Sequence, residues 1–420
     1  MAKFRELFTN RNFFLLWLGQ TISNFGDRLN QMALVALVYQ SNPGSELALA
    51  KIISFTIIPV FIIGPIAGAW VDRLNKKDIM VISDISRGLL VLLIPLFIVM
   101  KQMLLVYLVI FLLFSISRFF IPSKMAMIPE IVPKDKLLIA NSLQDTTHII
   151  GNVIGLVVAG IIVNIAAIGA IGGFYIDSVT FFASAALIAL IINHEFGRRV
   201  RQDLRETREA LGNSIRRSIF GEIKDGFGYF WEHRNMKFVL SVFFVLMAGI
   251  GAVSCVIIVF VQEAFGTATR DLGFLGMFLV AGLFVGTILF AKFGQKIDKR
   301  KAILASFIVS GLFLALFAIF VKRYPNLLVA GLFSGLLGVA IGPVMMSTNT
   351  LTHETIPEDV RGRIFSSLEA VIHLAFLLFM FIAAYAAKVV DRFWILVAVG
   401  VLFAASGLAG LLLERRPKTI

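Results

Sequence analysis

The chain has 420 residues, of which 58% are hydrophobic and 15% charged, and its mean hydropathy is +0.89. This composition excludes an ordinary soluble domain, in which apolar residues make up about half of the chain and charged residues about a quarter. The formal net charge of +13 would suit a nucleic-acid-binding protein, but the positions of the basic residues favour a membrane protein. The single cysteine, Cys255, excludes an intrachain disulfide.

Twelve apolar stretches are long enough to cross a bilayer, since about 20 helical residues span a hydrocarbon core of ~30 Å. We predict helices over 13–39, 46–71, 79–100, 103–128, 138–164, 169–193, 237–262, 273–293, 302–321, 327–350, 364–388 and 393–413. The first stretch is too long for a cleavable signal peptide and has no small-residue cleavage site. The predicted fold class is therefore an all-α membrane protein with twelve transmembrane helices.

Basic residues are distributed unevenly over the two sides that this helix count defines. A Lys or Arg near a helix end is counted here with the side to which that end is closer. On this basis 29 Lys and Arg lie on the side that holds both termini, 7 lie on the opposite side and 3 lie inside helices. Positive residues stay cytoplasmic, so both termini are expected in the cytoplasm and the chain in a plasma or inner membrane. A nucleic-acid-binding patch in RRVRQDLRETRE is the less favoured explanation, and we predict no nucleic-acid partner.

Residues 194–236 form the only long polar stretch between predicted helices, and they separate six helices from six. We predict an N-terminal six-helix bundle over 1–193, a cytoplasmic linker over 194–236 and a C-terminal six-helix bundle over 237–420. The linker contains EIKDGFGYFWEH, which mixes aromatic and charged residues as an interfacial amphipathic helix does. We interpret it as a tether, with a regulatory docking site as the alternative.

Two motifs recur once in each predicted half. GPIAGAWVDRLNKK is matched by GQKIDKRK with an offset of 226 residues, which pairs Gly68 with Gly294 and Asp72 with Asp298. VPKDKLLIANSLQD is matched by IPEDVRGRIFSSLE with an offset of 224. Parallel, pseudo-symmetric halves are one standard plan of transporters, with the substrate at the interface between the halves.

With these motifs the chain resembles the major facilitator superfamily over essentially its whole length. The superfamily's GxxxDRxGRK pattern is present after the second predicted helix, with Asn75 where glycine is usual. The resemblance implies a gate on the cytoplasmic side, in which Asp72 approaches the start of the eleventh helix near Ile364. We assign to this gate both motif copies and a charged pair of the third helix, for which a simple ion pair is the alternative: Gly68, Asp72, Arg73, Lys76, Lys77, Asp84, Arg87, Gly294 and Asp298.

Other segments indicate a subgroup. GNVIGLVVAG in the fifth helix is similar to the superfamily's antiporter motif GxxxGPxxGG, but Leu156 replaces the proline and Ala159 a glycine. NFFLLWLGQTISNFGDRLNQMAL and PEIVPKDKLLIANSL resemble the subgroup that holds macrolide and other drug exporters. Lysophospholipid transporters show related FGD and AN-rich segments, so that subgroup stays open as an alternative.

The first predicted helix carries a polar stripe, because Gln20, Asn24, Asp27 and Gln31 follow one another at steps of 4, 3 and 4. A charge at mid-bilayer costs about 2.5–3.5 kcal/mol on insertion scales, so the stripe is expected to face a wet cavity. Asp27 lies about 21 Å along the helix from its start, and we predict that it exchanges protons or contacts substrate. A structural hydrogen-bond acceptor is the alternative. Arg28 is expected either to bind an anionic group or to snorkel to the surface.

Further ionisable residues interrupt later helices. Arg118 lies in the fourth helix, where the superfamily often has an arginine linked to proton transfer. Asp145 and His148 in the fifth helix are repeat mates of Glu369 and His373 in the eleventh, and each couple shares a helix face. We predict all five as substrate or proton-coupling residues, although a cytoplasmic gate network is favoured for the two couples. One more carboxylate, Asp177, is expected near the outer end of the sixth helix, bonded to main chain.

No phosphate-binding GxxxxGK[ST], nucleophile-elbow GxSxG or zinc-binding HExxH motif occurs in the sequence. We therefore predict no catalytic residue, no metal and no cofactor, and a membrane enzyme or a receptor is the disfavoured alternative. The sequence favours a monomeric secondary active transporter that couples proton entry to the efflux of lipophilic or amphipathic small molecules by alternating access. A lysophospholipid flippase and small-solute uptake are the alternatives.

Overall fold

The computed structural model of the chain describes residues 7–71, 74–165, 167–192, 234–355 and 361–414. Within these ranges the chain forms twelve long helices and no strand. They are α1 (Arg11–Ser41), α2 (Glu46–Val71), α3 (Lys76–Val99), α4 (Met103–Ile131), α5 (Leu137–Asn164), α6 (Gly169–Ala189), α7 (Arg234–Phe265), α8 (Arg270–Phe293), α9 (Lys299–Arg323), α10 (Leu327–Thr355), α11 (Arg361–Ala386) and α12 (Arg392–Glu414). All twelve predicted stretches are helical, and their ends differ from the prediction by a few residues.

Eleven of the described helices are long and apolar enough to cross a membrane. The remaining one, α1, has 31 residues but carries the polar stripe, which lowers its hydropathy. Large apolar side chains cover the outside of the helices; Leu104 and Leu328, for example, are 76% and 72% exposed. A helix satisfies its own main-chain hydrogen bonds, so an apolar helical surface is suited to lipid. The chain is an all-α membrane protein.

The two halves of the chain repeat each other helix by helix. Each of the first six helices starts 223 or 224 residues before its counterpart among the second six. The packing repeats as well, because α3 packs against α4 and α6 while α9 packs against α10 and α12. An ion pair is repeated too: Lys76 Nζ lies 3.6 Å from Glu130 Oε1 in the first half, and Lys299 Nζ lies 2.5 Å from Glu354 Oε1 in the second. The duplication therefore covers the scaffold of the whole half.

This repeat corrects the register of the first motif pair. Asn75 and Asp298 both precede a helix directly, and each side chain accepts a hydrogen bond from a main-chain N–H of the first turn. Asp72 lies four residues before α3, so its predicted pairing with Asp298 is wrong. The pairing of Gly68 with Gly294 is wrong too, because Gly68 lies within α2 and Gly294 in the 3-10 turn that follows α8. Their assignment to a cytoplasmic gate stays a prediction.

The described residues divide into two compact units. The first unit holds the described residues up to Leu37 and those from Lys51 to 192, and the second holds Val38–Ala50 and the described residues from 234 onward. The predicted linker over 194–236 lies almost entirely outside the described residues. Domain limits at 193 and 237 stay a prediction.

Within the second unit, Arg392 at the start of α12 anchors the segment Val38–Ala50. Its guanidinium forms ion pairs with Glu46, the first residue of α2, and with Glu263 at 3.1 Å, and its Nη2 donates to the main-chain oxygen of Gly44 at 2.8 Å. Glu46 is buried. A buried carboxylate requires a partner, so Arg392 determines where α2 begins.

Glycines let helices of the second unit approach until their main chains touch. A methyl group on Gly282 of α8 would overlap the main-chain oxygen of Gly335 in α10, and one on Gly338 would overlap that of Leu279. Such contacts are typical of small residues spaced four apart in membrane helices. Gly151 of α5 is different, because no described atom lies within 4 Å of the position that its Cβ would occupy.

One substitution at two glycines tests this packing. We expect Gly338→Ala to lower stability by about 1–3 kcal/mol, because the added methyl forces α8 and α10 apart. The same change at Gly151 meets open space and gains up to about 1 kcal/mol of helix propensity. Thermal unfolding in detergent measures both. Equal Tm values for the two variants would contradict the close contact of α8 with α10.

Candidate functional site: a polar wall in the first unit

Two parallel stripes run along α1. The polar stripe becomes more open toward the C-terminal end of α1: Gln20 is buried, Asn24 and Asp27 are half-buried, and Gln31 is exposed. The position before each polar residue belongs to a second stripe, called here the packing stripe, whose members are all buried: Gly19, Ser23, Gly26 and Asn30. Successive helical residues are about 100° apart, so the two stripes face different neighbours.

The packing stripe lies against α6. Asn30 Nδ2 donates a hydrogen bond of 2.7 Å to Asp177 Oδ2, and a methyl group on Gly26 would overlap both the Asp177 carboxylate and Thr180 Oγ1. Asp177 is completely buried. The expectation that Asp177 lies at the helix end and binds main chain is wrong: it lies about 12 Å into α6, and its partner is a side chain.

The neighbouring face of α1 lies against α5. Trp17 Nε1 donates to Thr147 Oγ1 at 3.0 Å. The side chain of Arg28 crosses Gly155, whose Cβ position would be 2.9 Å from Arg28 Cγ. Gly155, in the segment similar to the antiporter motif, thus provides room for an arginine. Arg28 Nη1 donates to Gln31 Oε1 at 2.7 Å, and among the described residues its buried Nε finds no acceptor.

Asp27 lies in the middle of this region. Among the described residues no hydrogen bond reaches its carboxylate. Basic side chains of four helices interact electrostatically with it: Arg87, Arg28, His148 and Lys124. Sequence reasoning did not select Lys124, because it lies near the end of the fourth predicted helix. We call the following group the polar wall: Gln20, Asn24, Asp27, Arg28, Gln31, Lys124, Asp145 and His148.

The other predicted coupling residues are more dispersed. Asp145 and His148 are exposed on α5 and continue the wall toward the N-terminal end of that helix. In the second unit Glu369 is exposed on α11, and His373 Nδ1 lies 2.8 Å from the main-chain oxygen of Glu369, to which it donates. Arg118 is half-buried in α4. Among the described residues, no group of His, Cys, Asp and Glu is suited to hold a metal.

Asp84 and Arg87 form an ion pair inside the first unit. The Arg87 guanidinium lies between the rings of Phe120 and Phe181, 4.4 Å from each centroid. Because both charged groups are buried, the pair joins α3 to α4 and α6.

The start of α3 is also bound to its own unit. Lys77 Nζ donates to the main-chain oxygen of Ile191 at 2.8 Å, beside the Lys76–Glu130 ion pair described above. Asp72 and Arg73 lie outside the described residues, as do the side chains of 361–367, which include the predicted partner segment of Asp72.

Similar proteins are known by sequence and by structure. A family model described as transmembrane secretion effector, from the major facilitator superfamily, matches residues 6–418. The chain is 24% identical over 399 residues to the uncharacterized MFS-type transporter YfiS of Bacillus subtilis, covering 90% of this chain and 87% of that protein. It is 20% identical over 390 residues to macrolide efflux protein A of Streptococcus pyogenes, covering 92% of each. It is 23% identical over 367 residues to multidrug resistance protein MdtG of Escherichia coli, covering 85% of this chain and 83% of that one.

Solved transporter structures share the fold. The nucleoside transporter NupG superposes with a TM-score of 0.71 at 10% identity, covering 97% of this chain and all of that one. An inward-facing bacterial homologue of the iron transporter ferroportin gives a TM-score of 0.69 at 14% identity, covering 95% and 98%. These identities are low, so the structures inform on the fold alone. From the family match over residues 6–418 we conclude that this chain belongs to the transmembrane secretion effector family of major facilitator superfamily transporters.

Proposed function

We propose that this transporter exports lipophilic or amphipathic small molecules in exchange for protons. The polar wall supports an aqueous binding region in an otherwise apolar bundle, and relatives of similar length are named macrolide efflux protein and multidrug resistance protein. In this proposal, residues 1–193 rock against 237–413, and the loop of Asp72 gates the cytoplasmic side. The protein works as a monomer in the inner membrane with both termini in the cytoplasm.

Asp27 carries the proposal. It is half-buried at mid-helix, several basic side chains interact electrostatically with it, and among the described residues no hydrogen bond holds its carboxylate. A carboxylate without a fixed partner can take a proton or contact a substrate group. If proton and substrate exclude each other at this group, the binding of one releases the other, which is the thermodynamic requirement for exchange.

Removing this carboxylate tests the proposal. We expect Asp27→Asn to abolish proton-driven transport, because the amide has the same size but cannot exchange a proton. The assay uses inside-out vesicles with an imposed proton gradient and a pH-sensitive dye, to which a hydrophobic drug is added. The parent protein should release protons on addition of the drug, and Asp27→Asn should not, while its unfolding temperature stays unchanged.

Asp391→Asn is the matched control. Asp391 is an exposed carboxylate between α11 and α12, and its hydrogen bond from Lys322 lowers its pKa. This variant loses one carboxylate far in sequence from the polar wall and should exchange drug for protons like the parent. Normal drug accumulation against a gradient by Asp27→Asn would remove Asp27 from the mechanism.

Arg28 favours a second candidate, a lysophospholipid flippase. Its guanidinium lies on the polar wall, and its buried Nε has no acceptor among the described residues. A phosphate group could supply one, since arginine binds phosphate through several donors. Two results in the same vesicles would favour this candidate. Lysophospholipid would be transported at a rate that does not depend on the proton gradient, and the addition of drugs would cause no proton release.

Two α5 glycines one turn apart test the role of Arg28. Gly155→Leu should displace the Arg28 side chain, whereas Gly151→Leu adds the same group to open space. If Arg28 holds the lipid phosphate throughout transport, Gly155→Leu raises the KM for lysophospholipid and leaves kcat largely unchanged. Gly151→Leu should leave both constants unchanged. Equal KM values in the two variants would exclude Arg28 from binding the phosphate.

A further inference from the structure

We propose that Asp177 is a positioning residue: its hydrogen bond with Asn30 sets the rotation of α1 about its own axis and thereby the direction in which Asp27 faces. The consequence for proton exchange rests on the function proposed above. The positioning itself depends only on the contact between α1 and α6.

The contact is a continuous antiparallel seam. As the residue number rises along α1, the partner number falls along α6, through four contacts: Gly19 with Ser184, Gly26 with Thr180, Asn30 with Asp177, and Ala33 with Gly173. The small residues Gly19, Gly26 and Ala33 are seven apart, which is two helical turns, so they form a nearly straight line. This line brings the two helices close together along half the length of α1.

The seam and the polar stripe are coupled by geometry. Every member of the polar stripe directly follows a member of the packing stripe. Rotating α1 about its axis by about 100°, the angle between successive residues, would therefore bring Asp27 into the seam and move Gly26 out of it. The Cβ of any residue other than glycine overlaps Thr180 at that position. The glycines therefore exclude wrong rotations by steric overlap.

The polar pair selects one rotation among those that remain. Asn30 and Asp177 form a side chain to side chain hydrogen bond that crosses the seam from α1 to α6, and both are buried. In another rotation the buried Asp177 carboxylate would lose the Asn30 donor and keep only the 3.4 Å hydrogen bond from Thr180, which is costly in an apolar interior. A buried polar residue specifies the register of coiled coils in the same way. Asp27, one turn before Asn30, then has a single orientation.

Thiol labelling of α1 tests the proposal without substrate or a proton gradient. In a Cys255→Ser background, single cysteines replace Ser23 of the packing stripe or Asn24 of the polar stripe, and a small charged maleimide is added to purified protein. We expect the cysteine at position 24 to react on the order of tenfold faster, because a buried thiol reacts only after local opening. Asp177→Leu should bring the two rates close to equality.

Asp177→Asn separates positioning from proton transfer. It retains an acceptor oxygen of the same size for Asn30, so it should keep both the labelling ratio and the transport activity of the parent. If Asp177→Leu does not fold, Asn30→Leu removes the same hydrogen bond from the other helix and should have the same effect on labelling. A labelling ratio that survives Asp177→Leu or Asn30→Leu would overturn the proposal. So would Asp177→Asn that keeps the ratio but loses transport, because Asp177 would then act by titrating.

The labelling result is independent of what is transported. If the parent protein does not exchange drugs for protons, the proposed function fails while the labelling ratio still decides how α1 is oriented. If the protein exchanges drugs for protons but Asp177→Leu leaves the labelling ratio of positions 24 and 23 unchanged, only the positioning role of Asp177 is disproved.

Discussion

The free-energy cost of placing polar groups in hydrocarbon is the constraint on which this structure depends. The first unit meets it by pairing: Arg87 binds Asp84 between two aromatic rings, and Asn30 binds Asp177. A buried charge or amide that lacks a partner is costly, and the Asn30–Asp177 pair also joins two helices, α1 and α6. Asp27 differs because, among the described residues, its carboxylate has no hydrogen bond. The same constraint that stabilises the bundle thus singles out the group best suited to exchange a ligand.

The duplicated halves share a scaffold but differ in their interiors. Position 250, which lies 223 residues after Asp27 and is its repeat counterpart, is an isoleucine. A methyl group on the next residue, Gly251, would overlap the main-chain oxygen of Phe376 in α11. In the same unit, Gly311 of α9 touches the main chain of Gly400 in α12. At these positions the second unit has close glycine contacts where the first unit has the polar stripe. Helix positions and the Lys–Glu ion pair are retained, because they belong to the scaffold.

Part of the candidate site could be predicted from the sequence. The polar stripe of α1 follows from residue spacing alone, since side chains three and four apart share a helix face. Lys124 and the Asn30–Asp177 hydrogen bond could not be predicted in this way. Asn30 and Asp177 are 147 residues apart. The small residues of the packing stripe were a signal for a helix contact, but spacing does not say which helix is the partner.

The register of the repeat is a similar case. A local sequence alignment paired Asp72 with Asp298, whereas the helix starts pair Asn75 with Asp298. The alignment missed this pair because either asparagine or aspartate can cap a helix N-terminus.

The sequence by itself determined the number of helices, their approximate limits and the duplication. The physical reason is that a membrane-spanning segment must satisfy its main-chain hydrogen bonds internally, so length and hydropathy suffice to identify a helix. Only the tertiary structure decided which face of each helix meets which neighbour. That choice depends on shape and on partners distant in the chain: Gly155 gives room to Arg28, and Arg392 binds Glu46 across 346 residues. Rotation about a helix axis is free in an isolated helix and becomes fixed only by such contacts.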